Sequence, residues 1–279
     1  MRCSGVVCSN AAMPERWRVE PGKPVRLESI DPSSTPGAPG GKAETVATLP
    51  AFHERLAALQ ERLWAEHRRS LLLVLQALDA GGKDGTVRHV FRGVNPQGTR
   101  VTSFKVPVGE EVEHDFLWRV HRAAPATGEI GIFNRSHYED VLAVRVLGLA
   151  PEKVWKARYD LINAFEQTLH HGGTTIVKIY LHISKEEQRR RLQARLDDPD
   201  KRWKFSAADL EALRHWDEYR EAYEDALVKT STGIAPWYVI PADRKWYRNW
   251  VVSRILVKTL GRMDPRYPQP MEDLPATIE

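Results

Sequence analysis

The sequence predicts an α/β fold with a phosphate-loop-like turn: a parallel five-stranded sheet with helices on both faces and a helical lid. Three observations predict it. Segments rich in aliphatic and β-branched residues alternate along the chain with segments of helical periodicity, the rhythm of a parallel sheet. The run Leu71–Leu78 is apolar at nearly every position, which suits a central strand buried on both faces better than an alternating edge strand. It is followed by Gly81-Gly82-Lys83, then by Val87, Val90 and Phe91 at helical spacing. The glycines therefore sit between a strand and a helix N-terminus, where backbone N–H groups converge on an anion.

The elements follow in order. Residues 13–50 hold several Pro and Gly, including the stretch from Ser33 to Gly41, with no sustained period; residues 1–50 are read as an extended or partly disordered arm. Phe52, Leu56, Leu59 and Leu63 recur at helical spacing and predict an amphipathic packing helix ahead of the first strand. After the loop helix, Asn95-Pro96-Gln97-Gly98 is a turn and Thr99–Val106 a second strand. A helix from about Glu111 to His121 is broken by Pro125 and Gly128, and Glu129–Phe133 is the third strand. Tyr138–Leu147 reads as helical, and Pro151 opens a long helix to about His171 that ends at Gly172-Gly173. Thr174–Ile183 is the fourth strand. Ser184, followed by Glu186 and Glu187, caps the next helix with charge matched to its dipole. Trp237–Ile240 is the fifth strand, and Asp243 is expected to cap a final helix ending near Gly261. The folded domain is placed at 51–265, with a lid at about 189–208 and a tail at 266–279.

Composition is that of a soluble globular protein, long enough for one large α/β core, and no apolar run can span a bilayer. The formal net charge of +4 permits polyanionic partners without demanding them. Both cysteines, Cys3 and Cys8, lie in the first ten residues, which supports neither a disulfide framework nor a zinc site and fits a reducing cytoplasm. Met13 is an alternative start, and whether residues 1–12 are native stays open.

The loop chemistry is more specific. Lys83 at the start of a helix opposes the helix dipole and calls for a compensating phosphate. Against the pattern G-x-x-x-x-G-K-[ST], Ala77 stands at the first glycine and Asp84 at the magnesium-holding hydroxyl. Asp79 would repel phosphate unless a cation or proton intervenes, so it is read as handling magnesium or activating the acceptor. A glycine-rich turn with a solvated lysine is the plainer explanation, and it leaves Asp79 without a reason. Lys83 is expected to be exposed, so that its removal would spare the fold.

Ligands of open parallel sheets bind beyond the carboxyl ends of the strands. That rule places Asp79–Lys83, Lys105 and Asn134-Arg135-Ser136 on one rim. Arg135 can meet phosphoryl oxygens bidentately. Because Asn134 occupies the usual position of the metal carboxylate, that role falls to Asp79 or Asp140; for Glu139 and Asp140 favourable first-turn charge is an equal alternative. A second basic concentration runs from Arg189-Arg190-Arg191 through Arg195 to Lys201-Arg202-Trp203-Lys204-Phe205. Arg189 and Arg190 are read as a solvated face, whereas Lys201, Arg202 and Lys204 sit on a hinge-like turn that could close over a polyanion. Trp237, Trp246 and Trp250 are assigned to core or an oligomer interface. His114, His121, His137 and His215 lack metal-ligand spacing.

Three stretches in order, Asp79 to Thr86, Ile132 to Leu142 and Lys201 to Phe205, resemble the polyphosphate kinase 2 family, over roughly Leu56 to Arg262. The resemblance implies a phosphate-loop kinase fold and reversible phosphoryl transfer between inorganic polyphosphate and nucleotides, with magnesium, or manganese in its place. It implies that Lys83 and the loop residues Ala80, Gly81, Gly82, Asp84, Gly85 and Thr86 bind the transferring phosphates. Asp79 and Asp140 would handle metal, Arg135 would stabilise charge in flight, Glu139 would serve the acceptor, and Lys201, Arg202 and Lys204 would form the lid. Asn-Arg-Ser-His-Tyr-Glu-Asp at the third-strand exit looks like the branch that accepts both AMP and ADP and makes ATP. Members are commonly homo-oligomers; neither nucleic acid nor membrane is an expected partner. Gly81, where alanine is commoner, is a departure taken as conservative. The alternatives are an ATP-dependent nucleoside monophosphate kinase and a non-catalytic polyanion-binding protein, which would bind with salt dependence and no turnover.

Overall fold

The computed structural model describes residues 14–270, so Cys3, Cys8, Met13 and residues 271–279 of the tail lie outside the described residues. The apolar run becomes β1 (Ser70–Gln76), buried at every position. With it stand β2 (Thr99–Ser103), β3 (Ile130–Asn134), β4 (Thr174–His182) and β5 (Trp237–Pro241). All pair in parallel in the order β2-β3-β1-β4-β5. The helices are α1 (Lys42–Ala47), α2 (Leu49–Glu66), α3 (Lys83–Val90), α4 (Trp118–Ala123), α5 (Ala143–Val146), α6 (Glu152–His171), α7 (Lys185–Asp197), α8 (Ala207–Arg214), α9 (Trp216–Thr230) and α10 (Lys245–Met263).

Alternation along β1 divides the core in two. Leu71, Leu73 and Leu75 pack with Phe52, Leu56, Leu59 and Leu63 of α2 and with Trp250 and Ile255 of α10. Leu72 and Val74 face the other way, onto Trp155, Ile162 and Phe165 of α6 and Tyr223 and Leu227 of α9. Trp237 and Trp250 are buried and Trp246 packs against the core.

The chain ahead of α1 is irregular yet packed. Arg18 forms an antiparallel bridge with Tyr238, the Val19 amide donates to the Trp237 carbonyl at 2.9 Å, and Trp17, Val19 and Leu27 are buried. An edge strand exposes a row of unpaired backbone groups, and here the arm covers that of β5.

Three local expectations are corrected. The helix expected over Glu111 to His121 is a 3-10 turn at Gly109–Val112 followed by α4, because Asp115 Oδ1 takes the Leu117 amide at 2.8 Å and starts a new turn there. Tyr138–Leu147 divides into a 3-10 turn at His137–Asp140 and the short α5, with Leu142 outside helical geometry between them. Asp243 does not cap α10: the N-cap is Arg244, and the Asp243 carboxylate instead accepts from the Ser184 amide and hydroxyl, each at 2.9 Å, tying the β5 exit to the β4 exit. No helix among the described residues is long and apolar enough to cross a membrane.

Candidate active site

The turn between β1 and α3 is bent into place by backbone that most residues avoid. Ala80 has φ 59° and Gly82, the N-cap of α3, φ 101°. The first amides of α3 have no intrahelical acceptor. Lys83 is not exposed as expected: it is 9% accessible and folds back to donate from Nζ to the Ala77 carbonyl at 2.8 Å. Burial, reinforced by the charge of Arg135, pushes its amine down to about 8, against the pull of Asp79, Glu139 and Asp84.

Arg135 leaves β3 with φ 61°, held by its amide on the Leu75 carbonyl at 3.1 Å, and its Nη2 donates to Asp79 Oδ1. Burial opposes the Arg135 charge, but Asp79 and Glu139 outweigh it and hold the guanidinium above its ordinary range. Asn134 Nδ2 donates to Asp84 Oδ1 at 2.7 Å, and Lys204 reaches the other Asp84 oxygen at 3.6 Å. The Gln76 amide, turned so that its oxygen accepts from Ser136 Oγ, donates to Glu139 Oε1 at 3.1 Å. Asp79, Lys83, Asp84, Arg135 and Glu139 thus meet at one rim, with Tyr219 of α9 beside them, its hydroxyl pushed up to about 12 by burial and by Glu139 and Asp79.

Other candidates fall elsewhere. Asp140 is buried and engaged by Arg158 Nη1 at 3.0 Å; burial pushes its carboxyl up to about 6 against Arg158 and Arg119. The Thr86 hydroxyl is buried on the Gly82 carbonyl at 3.1 Å, where it supports the turn. Lys105 is exposed, and its carbonyl accepts from Arg119 Nη1 at 2.7 Å. In the lid segment Arg202 Nε donates to the Leu196 carbonyl at 2.7 Å, Lys201 pairs with Asp198, and Lys204 lies 5.1 Å over the exposed Trp203 ring. Arg190 pairs with Glu187 in solvent, the solvated face anticipated for it.

The 3-10 turn that carries Glu139 is anchored in the core. Tyr138 donates to Glu166 Oε1 at 2.8 Å, and Lys178 Nζ to Glu166 Oε2 at 2.6 Å, to Tyr138 Oη at 2.8 Å and to the Thr230 carbonyl at 2.6 Å. These residues, with Gln76 and Arg158, escaped the sequence reading. The one available signal was a glutamine and a lysine inside otherwise apolar strands.

A Cβ at Gly81 would lie 2.5 Å from Ala77 Cβ and 2.8 Å from the Leu78 carbonyl, so alanine is not conservative in this turn. Gly81→Ala is expected to destabilise the protein by about 1–3 kcal/mol through overpacking and to impair turnover. Chemical denaturation with an unchanged midpoint would mean that the turn relaxes freely.

Among the described residues no cluster of three or more His, Cys, Asp or Glu forms a ready-made metal cage. Mg²⁺ held mainly by phosphate oxygens and water needs only one or two carboxylates. Asp79, with Glu139 beside the same lysine and arginine, meets that need.

Fold and rim together define a phosphate-loop phosphotransferase. The profile of the polyphosphate kinase 2 family matches residues 41–268, and the chain belongs to that family. It is 56% identical to the AMP/ADP-polyphosphate phosphotransferase of Meiothermus ruber, over 92% of this chain and 96% of that one. It is 50% identical to the ADP-polyphosphate phosphotransferase of Rhodopseudomonas palustris, over 77% and 79%. The crystal structure of polyphosphate kinase 2 from Arthrobacter aurescens superposes with a TM-score of 0.90 at 49% identity, over 94% of this chain and 93% of that one.

Proposed function

We propose that the chain catalyses magnesium-dependent, reversible phosphoryl transfer between inorganic polyphosphate and nucleotides, making ADP from AMP and ATP from ADP. The observation that carries this reading is the meeting of Lys83, Asp79 and Arg135 at one turn of a polyphosphate kinase 2 chain. Phosphoryl transfer needs little covalent help from a protein; positioning and charge stabilisation do most of the work. Lys83 and the first α3 amides bind the terminal phosphates of the donor. Arg135, released from Asp79, lies along the transferring group. Magnesium, bound through Asp79 together with substrate oxygens and water, would neutralise charge on that group. Lys201, Arg202 and Lys204 close over the chain of phosphates and exclude water. The same reading has the enzyme cytoplasmic and homo-oligomeric.

The test is to mix the purified protein with magnesium, long-chain polyphosphate and either AMP or ADP, without ATP, and to separate the products. ATP from both acceptors is expected. ATP from ADP alone would discard AMP as an acceptor, and consumption of ATP only when a nucleoside monophosphate is offered would favour the nucleotide kinase.

Glu139, held by Gln76 at the acceptor side, is expected to favour AMP. Glu139→Asn should lower kcat/KM for AMP about tenfold more than for ADP, the scale of one charged hydrogen bond. Equal losses with the two acceptors would remove Glu139 from acceptor choice.

A further inference from the structure

We propose that α7 carries a carbonyl clamp, Gln188 and Arg191, that sets the phosphate loop in the form that binds a polyanion. The proposal rests on the reading of residues 79–86 as the phosphate site. Gln188 Nε2 donates to the Asp79 carbonyl at 2.9 Å. One turn later, Arg191 Nη1 donates to the carbonyls of Ala80 at 3.1 Å and Gly81 at 3.0 Å. Three successive carbonyls of the loop are therefore held by two side chains of one helix.

The guanidinium is fixed from its other side. Arg191 Nη2 donates to the carbonyls of Ala242 at 2.6 Å and Asp243 at 3.1 Å, and Nε to Glu187 Oε1 at 2.6 Å. Only a planar fork can reach the loop, the β5 exit and a carboxylate at once; lysine, a single point of charge, cannot. Both Gln188 and Arg191 are buried, so neither is a spare surface contact.

The consequence for the loop follows from peptide geometry. In a trans peptide the N–H points opposite to the C=O. Drawing the carbonyls of Asp79 and Gly81 toward α7 turns the amides of Ala80 and Gly82 to the opposite side, away from the helix. The Gly81 amide is already taken by the Leu78 carbonyl at 2.9 Å. The strained φ of Ala80 persists because these bonds over-determine it, while glycine at 82 takes its positive φ without strain. Close packing also fixes the residue type at 82: a Cβ there would lie 2.0 Å from Nη1 of the buried Arg248 and 3.5 Å from Nη1 of Arg191, so only glycine fits between the two guanidinium groups. Gln188 and Arg191 are thus positioning residues, acting on phosphate through the backbone they hold.

The decisive variants are Gln188→Met, which keeps the volume and removes one donor, and Arg191→Lys, which keeps the charge and loses the fork. Steady-state kinetics with polyphosphate varied at saturating ADP should show the KM for polyphosphate raised about fivefold in Gln188→Met and about tenfold to a hundredfold in Arg191→Lys. The kcat at saturating polyphosphate should stay within about twofold in Gln188→Met, and its unfolding midpoint without ligand should fall by no more than the loss of one buried hydrogen bond explains. The rise in midpoint on adding polyphosphate should shrink in step with the lost affinity. A wild-type KM for polyphosphate in both variants would overturn the clamp. So would lower stability and kcat with no rise in KM, since that pattern belongs to a merely structural contact. Where Arg191→Lys fails to fold, Gln188→Met decides alone. Lys83→Ala separates the two readings: full activity in that variant removes the phosphate site itself, whereas an inactive Lys83→Ala beside clamp variants of normal KM removes the clamp only.

Discussion

Lys83→Ala is expected to reduce phosphoryl transfer by about a thousandfold, the scale of removing a pre-placed positive donor from a site where charge develops. Lys83 is the cation built into the turn itself, and its amine rests on the Ala77 carbonyl rather than in solvent. Alanine also leaves a space where a buried side chain stood, so some loss of stability accompanies it; Lys83→Met keeps the volume and removes only the charge. Loss of turnover in both variants, with methionine folding like the wild type, is the expected pattern. A methionine variant with near-normal turnover would sink the site assignment.

The pH dependence supplies an independent check. Burial pushes the Lys83 amine down to about 8, and an arriving phosphate favours the charged form. Below that pH the amine is already charged; above it, binding must take up a proton, and polyphosphate affinity should fall by up to about tenfold per pH unit. For stability the sign is reversed. The folded value lies below the ordinary 10.5, so the unfolded chain binds more protons between about 8 and 10.5, and this group's penalty is relieved as pH rises through that window. Titrations of Lys83→Met should lack both slopes.

Arg135→Ala is expected to lower kcat by about a thousandfold while changing the KM for ADP little, because a guanidinium along the transferring group acts chiefly in the transition state. Arg135→Lys should recover only part of that loss, since an ammonium cannot meet two oxygens in parallel. The effect has a structural partner: without Arg135, Asp79 loses the guanidinium that pairs with it. Single-turnover measurements separate the two possibilities. A slow chemical step supports the role, whereas normal chemistry with weakened acceptor binding would assign Arg135 to binding instead.

The reach of the sequence differs sharply between fold and rim. The Leu71–Leu78 run, the Gly81-Gly82-Lys83 turn and the periodicity of Phe52, Leu56, Leu59 and Leu63 each report on neighbours within a few residues, and each is read correctly as strand, turn or helix. Where a local side chain competes with the backbone the reading fails. Asp115 restarts a helix inside the predicted 111–121 span, and the anchored turn at His137–Asp140 cuts short another. Asp243 had the composition of a cap, yet the nearby Ser184 claimed its carboxylate.

What the sequence by itself determined is the parallel α/β sheet with its turn after β1, because periodicity and glycine placement act over a few residues and survive any tertiary context that buries them. The tertiary structure alone decided which charges meet. Arg135 and Asp79 are 56 positions apart and Gln188 and Asp79 109 apart, and no periodic signal spans such distances. It also decided that Lys83 is buried, that Asp140 belongs to Arg158, and that Arg191, one of three arginines in a row, lies beneath the loop while Arg190 faces water. The reason is geometric: successive helical residues differ by 100° in direction, so identical neighbours meet unrelated surroundings, and only the packing of α7 against the loop selects the one that matters.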